Sequence, residues 1–548
     1  MRYNSVVHQQ LESQTWDSII IGSGLGGMTT ACLLAKAGKK VLLLERHTIP
    51  GGFTHTFKRK GFEWDVGVHY VGQVSKSLSI IRKVFDYVTD KRLAWADMDP
   101  VYDRIEIAGD KYDYISGAEA QTENLIRHFP NDADAIRAYI NLVRSTSRSG
   151  AWFFGEKTMP FWMSRLVGRF LRRPFEAWAS KTTLEVLRSL TKNEKLISVL
   201  CAQCGDYGLE PEKSSFGIHA VVVEHYMDGA CYPIGGASQI HKSILSVFEK
   251  NGGTLVLNAD VKKIIIETGR AIGIEFQNGK TLRSKVIVSN AGFENTFRRL
   301  IPAIGVSNAQ EESRAAHSDF AAQAGKIASS TAHVCLYVGL DSSDKALAIP
   351  KNNFWIYETY DFSASLERFR QDPTAALPLV YISFPSAKDP LRDQQNGGRA
   401  TVQVMAAYDF EAVKKWKDRA WGQRGDEYDQ IKNDLKQKLT AALIKVLPQI
   451  EGHIAYSELS TPLSTRHFMN YQSGEIYGLE HTPARFALRS LRPQTRIKGL
   501  FLTGQDVVTV GVAGALYSGV LTATTILKKS VIMRILFNLP LSRRATRA

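Results

Sequence analysis

The sequence predicts an α/β protein built round a buried parallel sheet, and three observations carry that expectation. Residues 18–21 and 41–44 are short, mostly aliphatic runs, the pattern of parallel strands covered on both faces. Between them lies Gly22-Ser23-Gly24-Leu25-Gly26-Gly27, a G-x-G-x-x-G turn opening a helix over residues 28–37 that closes at Gly38. An acid, Glu45, ends the second strand about 20 residues past the first glycine.

Each part of this unit has a physical reason. Gly22 makes the tight turn, Gly24 lets the backbone approach a pyrophosphate, and Gly27 lets helix and strand pack closely, with Ser23, Leu25 and Gly26 completing the turn. The helix N-terminus offers free N–H groups and a positive dipole end to phosphates, and Glu45 can accept a hydrogen bond from a ribose hydroxyl. A strand–turn–helix–strand context of this kind reads as a dinucleotide site rather than an incidental glycine-rich turn.

Later segments select the dinucleotide. Arg46 and the pair Gly51-Gly52 follow the acid, and a hairpin-like return carries Asp65-Val66-Gly67-Val68-His69-Tyr70. Near the other end come Thr503-Gly504-Gln505-Asp506 and Gly511-Val512-Ala513-Gly514. Between them stand Tyr232-Pro233-Ile234-Gly235-Gly236-Ala237, then expected strands around Val261, Ile274 and residues 286–289. With Ser464-Thr465-Arg466 and Gly474-Glu475-Ile476-Tyr477-Gly478, this order and spacing resembles the retinol saturase and carotenoid isomerase branch of the phytoene desaturase family, over residues 16–527.

The resemblance implies an FAD-binding Rossmann-like domain of the amine-oxidase and GDI type, with a discontinuous substrate and cap domain of mixed sheet and helices. It implies FAD held by Gly22, Ser23, Gly24, Leu25, Gly26, Gly27, Glu45 and Arg46, then by Gly51, Gly52, Val68 and His69. Val261 would hold the adenine by its backbone, while Asp506 and Val512 would meet the ribityl–pyrophosphate and the ring. The implied substrate is a polyunsaturated lipid, namely a carotenoid, retinoid or unsaturated acyl chain. Its carbon–carbon double bond would be saturated or isomerised by hydride exchange at flavin N5. Three alternatives stand beside this: a desaturase, a flavin amine oxidase, and a GDI-like module that binds prenyl lipids without flavin chemistry.

Only one dinucleotide fingerprint is present. Electrons therefore come from NAD(P)H docking transiently at the flavin cleft or from a separate electron carrier, or none are consumed, as in an isomerase. Reduction also needs a proton donor. The motifs nominate His69, Tyr70, Glu475 and Tyr477, with His481 beside them, although each shapes a pocket as readily as it donates. Arg466 and His467 suit a polar head group or an ion pair with Glu475. There is no Ser-His-Asp order, no G-x-S-x-G and no metal-ligand spacing.

A chain of 548 residues with 44% apolar content can bury two cores. The expected division is a flavin domain from 16–75, 228–297 and 486–527, a mostly helical cap over 76–227, a substrate domain over 298–485 and a basic, apolar tail over 528–548. Helices are expected at 132–145, 183–202 and 428–446, strands at 333–340, 379–384 and 401–407, and a loop at 394–398. The five cysteines lack scaffold spacing, Cys201 and Cys204 forming a lone C-x-x-C, which suits a reducing compartment. The first fifteen residues carry no apolar signal-peptide core. Residues 507–527 are free of charge, yet their glycines and threonines read as a buried helix under the flavin rather than a membrane span.

The net charge of +15 calls for an acidic partner surface, and no nucleic-acid module is visible. In residues 161–174, helical spacing puts Met163, Leu166, Val167, Phe170 and Leu171 on one side and Arg165, Arg169, Arg172 and Arg173 on the other. The tail after Lys528 alternates basic and apolar residues without an acid. Both suit a cytoplasmic protein lying peripherally on the anionic inner face of a membrane. The alternative is a core-facing helix with a solvated basic face and a disordered tail.

Overall fold

The computed structural model describes residues 1–301, 325–392 and 397–542. Its centre is a five-stranded, wholly parallel sheet in the order Thr254–Val256, Val41–Leu44, Ser18–Ile21, Ile287–Ser289, Leu500–Leu502. Four chain segments far apart in sequence thus meet in one sheet. Alternation within each strand sends side chains to two different covers. Ile20, Leu43 and Val288 pack under the helices Leu25–Lys36, Ser238–Lys250 and Gly511–Leu527, through Met28, Ile244, Phe248 and Val520. Ile19, Ile21, Leu42 and Leu44 join the core that holds the antiparallel sheet Val261–Glu267, Arg270–Phe276, Thr281–Arg283, through Ile264 and Ile274. Burial on both faces is why these strands read as aliphatic runs.

A second, seven-stranded sheet has the order Ile454–Ser460, His333–Leu340, Thr401–Ala407, Leu379–Ser383, Asn353–Tyr357, Val101–Ile107, Asp110–Ile115. It is antiparallel except where Asn353–Tyr357 pairs with Val101–Ile107. The helix Asp426–Val446 covers one face through Leu435, Leu439 and Leu443. From the other face Trp355, Tyr381 and Met405 reach the central cavity described below. The helices Ala133–Glu156, Phe161–Ala179, Thr183–Leu190 and Phe216–Tyr226 pack together beside it.

Several elements differ from the sequence expectation. The helix expected over 28–37 begins at Leu25, because Gly24 in extended conformation caps it and the glycine pair lies in its first turn. The helix expected over 183–202 is two, Thr183–Leu190 and Glu194–Leu200. Thr191 is extended, Asn193 accepts from Leu196 N to cap the second helix, and Asp132 accepts from both Thr191 Oγ1 (2.6 Å) and Asn193 Nδ2 (2.8 Å). The segment read as mostly helical also supplies two strands, Val101–Ile107 and Asp110–Ile115, to the seven-stranded sheet.

The helix Phe161–Ala179 corrects the expected faces. Its buried side is Ser164, Gly168, Arg172, Phe175 and Ala179. Trp162, Leu166 and Phe170 are 64%, 67% and 74% exposed, and Arg165, Arg169 and Arg173 are exposed beside them. Arg172 leaves the basic set, since its Nε donates to Gly168 O at 3.2 Å and it pairs with Glu176 at 3.3 Å. Apolar and cationic side chains thus share the outer surface. In the tail, Val531–Leu536 is a helix whose Val531 and Ile535, with Leu541, are buried in the core under the parallel sheet. Arg543, Arg544 and Arg547, and residues 394–396 of the expected loop, lie outside the described residues.

The charge-free segment 507–527 is the buried-core helix Gly511–Leu527, and among the described residues no helix is long and apolar enough to cross a membrane. All five cysteines are buried and free.

In the dinucleotide unit, helix and turn meet closely at Gly27, where a Cβ would fall on the Gly22 carbonyl oxygen. Gly27→Val is expected to cost at least about 1–3 kcal/mol in urea unfolding, because backbone would have to move. Gly155→Ala, within the helix Ala133–Glu156 with nothing within 4 Å of its Cβ, is expected to be neutral or stabilising by up to about 1 kcal/mol. Equal effects of the two substitutions would contradict this packing.

Candidate functional site

The strand ends of the parallel sheet open onto a cavity of about 1170 Å³ that extends to the inner face of the seven-stranded sheet. One end is walled by bare backbone. Ser23 donates to Glu45 Oε2 through its N (2.9 Å) and Oγ (2.7 Å), and the same Oγ accepts from Gly51 N (3.1 Å). His47 N donates to the other carboxylate oxygen at 2.8 Å. One serine thus ties the glycine turn, the acid and the second glycine turn together. A Cβ on Gly24 would stand 2.7 Å from Asn290 Nδ2, and one on Gly26 would stand 2.7 Å from Gly504 N. Gly51, at φ +114°, holds a left-handed turn against Gly24, to which it is bridged.

Most residues expected at a cofactor line this cavity. Gly22, Gly24, Leu25 and Gly26 do so from the first turn, and Glu45, Arg46, Gly51 and Gly52 from the second. Val68 and His69 form another edge, Val261 the far end, and Asp506 and Val512 the last wall. Ser23 and Gly27 are not among the lining residues: Ser23 is the buried tie, and Gly27 serves helix packing. Asp506 is a structural hub, with Oδ2 accepting from Phe293 N (2.7 Å) and Oδ1 from Leu479 N (2.9 Å). Sequence reading missed Asn290, whose amide sits among Gly24, Gly26 and Gly504; its signal is the small-residue turn Asn290-Ala291-Gly292 after a buried strand.

The candidate proton donors separate. His69 lines the cavity, its Nδ1 has no hydrogen-bond partner, and burial holds it down to about 3, so the ring is neutral. Tyr70 is not a lining residue; its hydroxyl is 3.1 Å from Asp103 Oδ2 and 2.9 Å from Asp206 Oδ2. Tyr477 lines the cavity but donates its hydroxyl to Gly205 O at 3.1 Å. Glu475 is buried behind the wall, accepts from Ser473 N at 2.9 Å, and burial pushes its carboxyl up to about 7. His481 Nε2 accepts from Val510 N at 3.0 Å, a structural bond. Arg466 does not pair with Glu475, because its guanidinium donates to Gln472 O and Oε1 at 2.9 Å. His467 instead accepts Arg46 on its carbonyl at 3.2 Å.

The other end of the cavity is largely apolar and aromatic, with Trp355 and Tyr381 in ring contact at 4.4 Å and His69 edge-on to Tyr381 at 5.5 Å. Three further polar atoms there have no hydrogen-bond partner among the described residues, Trp355 Nε1, His333 Nδ1 and the Tyr381 hydroxyl. Asp206, also unnoticed in the sequence, lines this end from the turn Cys204–Asp206.

Residues 20–88 match the family of NAD(P)-binding Rossmann-like domains. The chain is 32% identical over 534 residues to the all-trans-retinol 13,14-reductase of Homo sapiens, covering 94% of this chain and 86% of that one. It is 24% identical over 534 residues to a chloroplastic prolycopene isomerase of an Oncidium hybrid cultivar, covering 93% and 84%. Among solved structures, the cyclohexylamine oxidase of Brevibacterium oxydans superposes with a TM-score of 0.57 over 96% of this chain and 99% of that one, at 15% identity.

Because Asp506 satisfies two backbone N–H groups that join separate loops, Asp506→Ala is expected to cost about 1–3 kcal/mol for each donor left without a partner. Asp506→Asn, which keeps one acceptor oxygen, should lose less. Denaturant unfolding of the three proteins checks the order wild type, Asn, Ala.

Proposed function

The chain belongs to the all-trans-retinol 13,14-reductase family of oxidoreductases, and on that premise we propose that it binds FAD and acts on a carbon–carbon double bond of a polyunsaturated lipid. Saturation is the favoured outcome and isomerisation the second, following the higher identity to the reductase than to the isomerase. The observation that carries this reading is a single cavity joining a side-chain-free backbone cradle to an aromatic hall.

The residues present fit FAD. Glycine backbone, a helix N-terminus and the Glu45 carboxylate suit its pyrophosphate and ribose. The unpartnered His69 Nδ1, His333 Nδ1 and Trp355 Nε1 suit a ring system or head group with polar edges. The volume exceeds the ~300–1,000 Å³ of a drug-sized site, leaving room for a second, elongated molecule. When bound, FAD supplies hydride exchange with carbon at N5. Trp355, Tyr381 and Met405 hold the apolar chain in place and exclude water. NAD(P)H or a separate electron carrier supplies the electrons when the net reaction is reduction.

Such a substrate is scarcely soluble in water, so it is collected from a bilayer. The outward Trp162, Leu166 and Phe170, interleaved with Arg165, Arg169 and Arg173, support peripheral contact with an anionic, cytoplasmic membrane face. Exposed aromatic anchors beside cations are what an interfacial helix requires. A solvated basic face alone would have no use for them.

Purified protein is expected to carry FAD non-covalently, and Gly24→Val to lose it, since the new side chain collides with Asn290 and fills the cradle. Flavin absorbance after gel filtration checks both, and a fully yellow Gly24→Val protein would refute the placement. Anaerobic stopped-flow of the photoreduced holoenzyme with all-trans-retinol should reoxidise the flavin. Product without reoxidation would instead indicate isomerisation, and indifference to lipids with ready reduction by amines would indicate an amine oxidase. For the membrane, wild type should sediment with phosphatidylserine vesicles and release with salt. Combining Arg165→Glu, Arg169→Glu and Arg173→Glu should weaken this by about 1 kcal/mol for each charge removed, and Phe170→Asp further. Equal sedimentation would remove the membrane contact and leave the flavin reading intact.

A further inference from the structure

Tyr70 has one hydroxyl proton and two carboxyl neighbours, Asp103 Oδ2 at 3.1 Å and Asp206 Oδ2 at 2.9 Å. A phenol donates one hydrogen bond. Both contacts are hydrogen bonds only if one of the two acids is protonated and donates to the phenol oxygen. The surroundings decide which. Asp103 also accepts from Asn353 Nδ2 (2.8 Å) and Gln203 Nε2 (3.1 Å). Lys388 Nζ, bonded to the same Asn353, to Ser383 Oγ (2.8 Å) and to His69 O (3.0 Å), adds a nearby amine that burial brings down to about 7 and the Asp103 carboxylate helps keep protonated. Burial raises Asp103 as well, but these donors and Lys388 oppose that rise, whereas Asp206 has Tyr70 alone to oppose it. Asp206 has Tyr70 as its side-chain partner, and its Oδ1 takes no hydrogen bond among the described residues. The titratable groups facing it are Asp103, the phenols Tyr70, Tyr102, Tyr226, Tyr381 and Tyr477, and the Cys204 thiol, with no cation paired to it among the described residues.

We propose that Asp206 stands in the cavity as a neutral carboxylic acid and is the proton donor when a polyene is reduced. Burial and the neighbouring Asp103 push it well above the usual carboxylate range. The inference rests on the polyene-reducing reading above and deepens it. Saturating one C=C bond takes a hydride, which brings both electrons to one carbon, and a proton, which forms the C–H bond at the other. The reduced flavin is the hydride donor. The proton comes from the O–H bond of Asp206, which is left a carboxylate and is reprotonated from solvent before the next turnover. Tyr70 is a positioning residue: its proton points to Asp103 while Asp206 is protonated and swings to Asp206 once that group is ionised. This also explains why the other candidates fail as donors. His69 is neutral, burial pushes the Tyr381 and Tyr477 phenols up and leaves them weak acids, and Glu475 lies behind the wall.

Two measurements on the FAD-loaded enzyme test this. At neutral pH the infrared difference between wild type and Asp206→Asn should show the carbonyl stretch of a protonated carboxylic acid, sensitive to deuterium exchange, beyond the band that the buried Glu475 gives in both proteins. Asp206→Asn should keep its flavin spectrum and reduce all-trans-retinol about 100-fold more slowly or worse in single turnover, with partial rescue by Asp206→Glu. Absence of such a difference band would place the proton on another acid and overturn the proposal. So would a wild-type rate in that variant. If wild type shows the band but turns over no polyene, the polyene reading and the donor role fall together. If wild type turns over and lacks the band, the donor assignment alone falls.

Discussion

Backbone approaching backbone without side chains is the constraint on which this structure depends. At the carboxyl edge of the parallel sheet, Gly24, Gly26 and Gly504 come together around the Asn290 amide, with Gly51 and Gly52 set against Gly24 and Gly27 pressed on the Gly22 carbonyl just beneath. Each of these turns belongs to a different excursion of the chain. Their meeting requires that the strands ending in them lie side by side, and the registers Ile20 to Leu43, Ile20 to Val288 and Val288 to Phe501 deliver that. The bonds from Ser23 to Glu45 and from Gly51 to Ser23 then hold the arrangement without placing bulk in the cavity.

The cavity is shared between two kinds of sheet, and this division suits its chemistry. The parallel sheet presents strand ends and helix N-termini, which bind phosphate by exposed N–H groups. The seven-stranded sheet presents a face, and a face offers alternate side chains such as Trp355, Tyr381 and Met405 along a line. One part offers bare backbone N–H groups suited to charge, and the other offers rings suited to an apolar length. Behind the second wall, Lys388, Asn353, Asp103 and Tyr70 form a continuous buried polar chain that ends at Asp206. Burying so many polar groups is costly unless each is satisfied. Within that chain the acid open to the cavity has Tyr70 as its one side-chain hydrogen-bond partner among the described residues, which singles it out.

The sequence by itself determined the dinucleotide unit, because its physics is local. Turn, cap, buried strands and terminal acid lie within residues 18–45, and the short-range pattern carried them, down to the bounds of Ser18–Ile21 and Val41–Leu44. It also carried the strands His333–Leu340 and Thr401–Ala407, whose aliphatic content marks them as internal. Tertiary structure alone decided the rest. The break at Thr191 follows from bonds to Asp132, a residue on another element. The outward turn of Trp162, Leu166 and Phe170 was invisible to helical periodicity, which separates faces but does not say which faces the core; packing of Gly168 and Phe175 against the neighbouring helices chose. Asp206 carried no motif, because its state depends on Tyr70 and Asp103, 136 and 103 residues away in sequence. A proton's place is set by what surrounds it in space, and spacing along the chain holds no record of that.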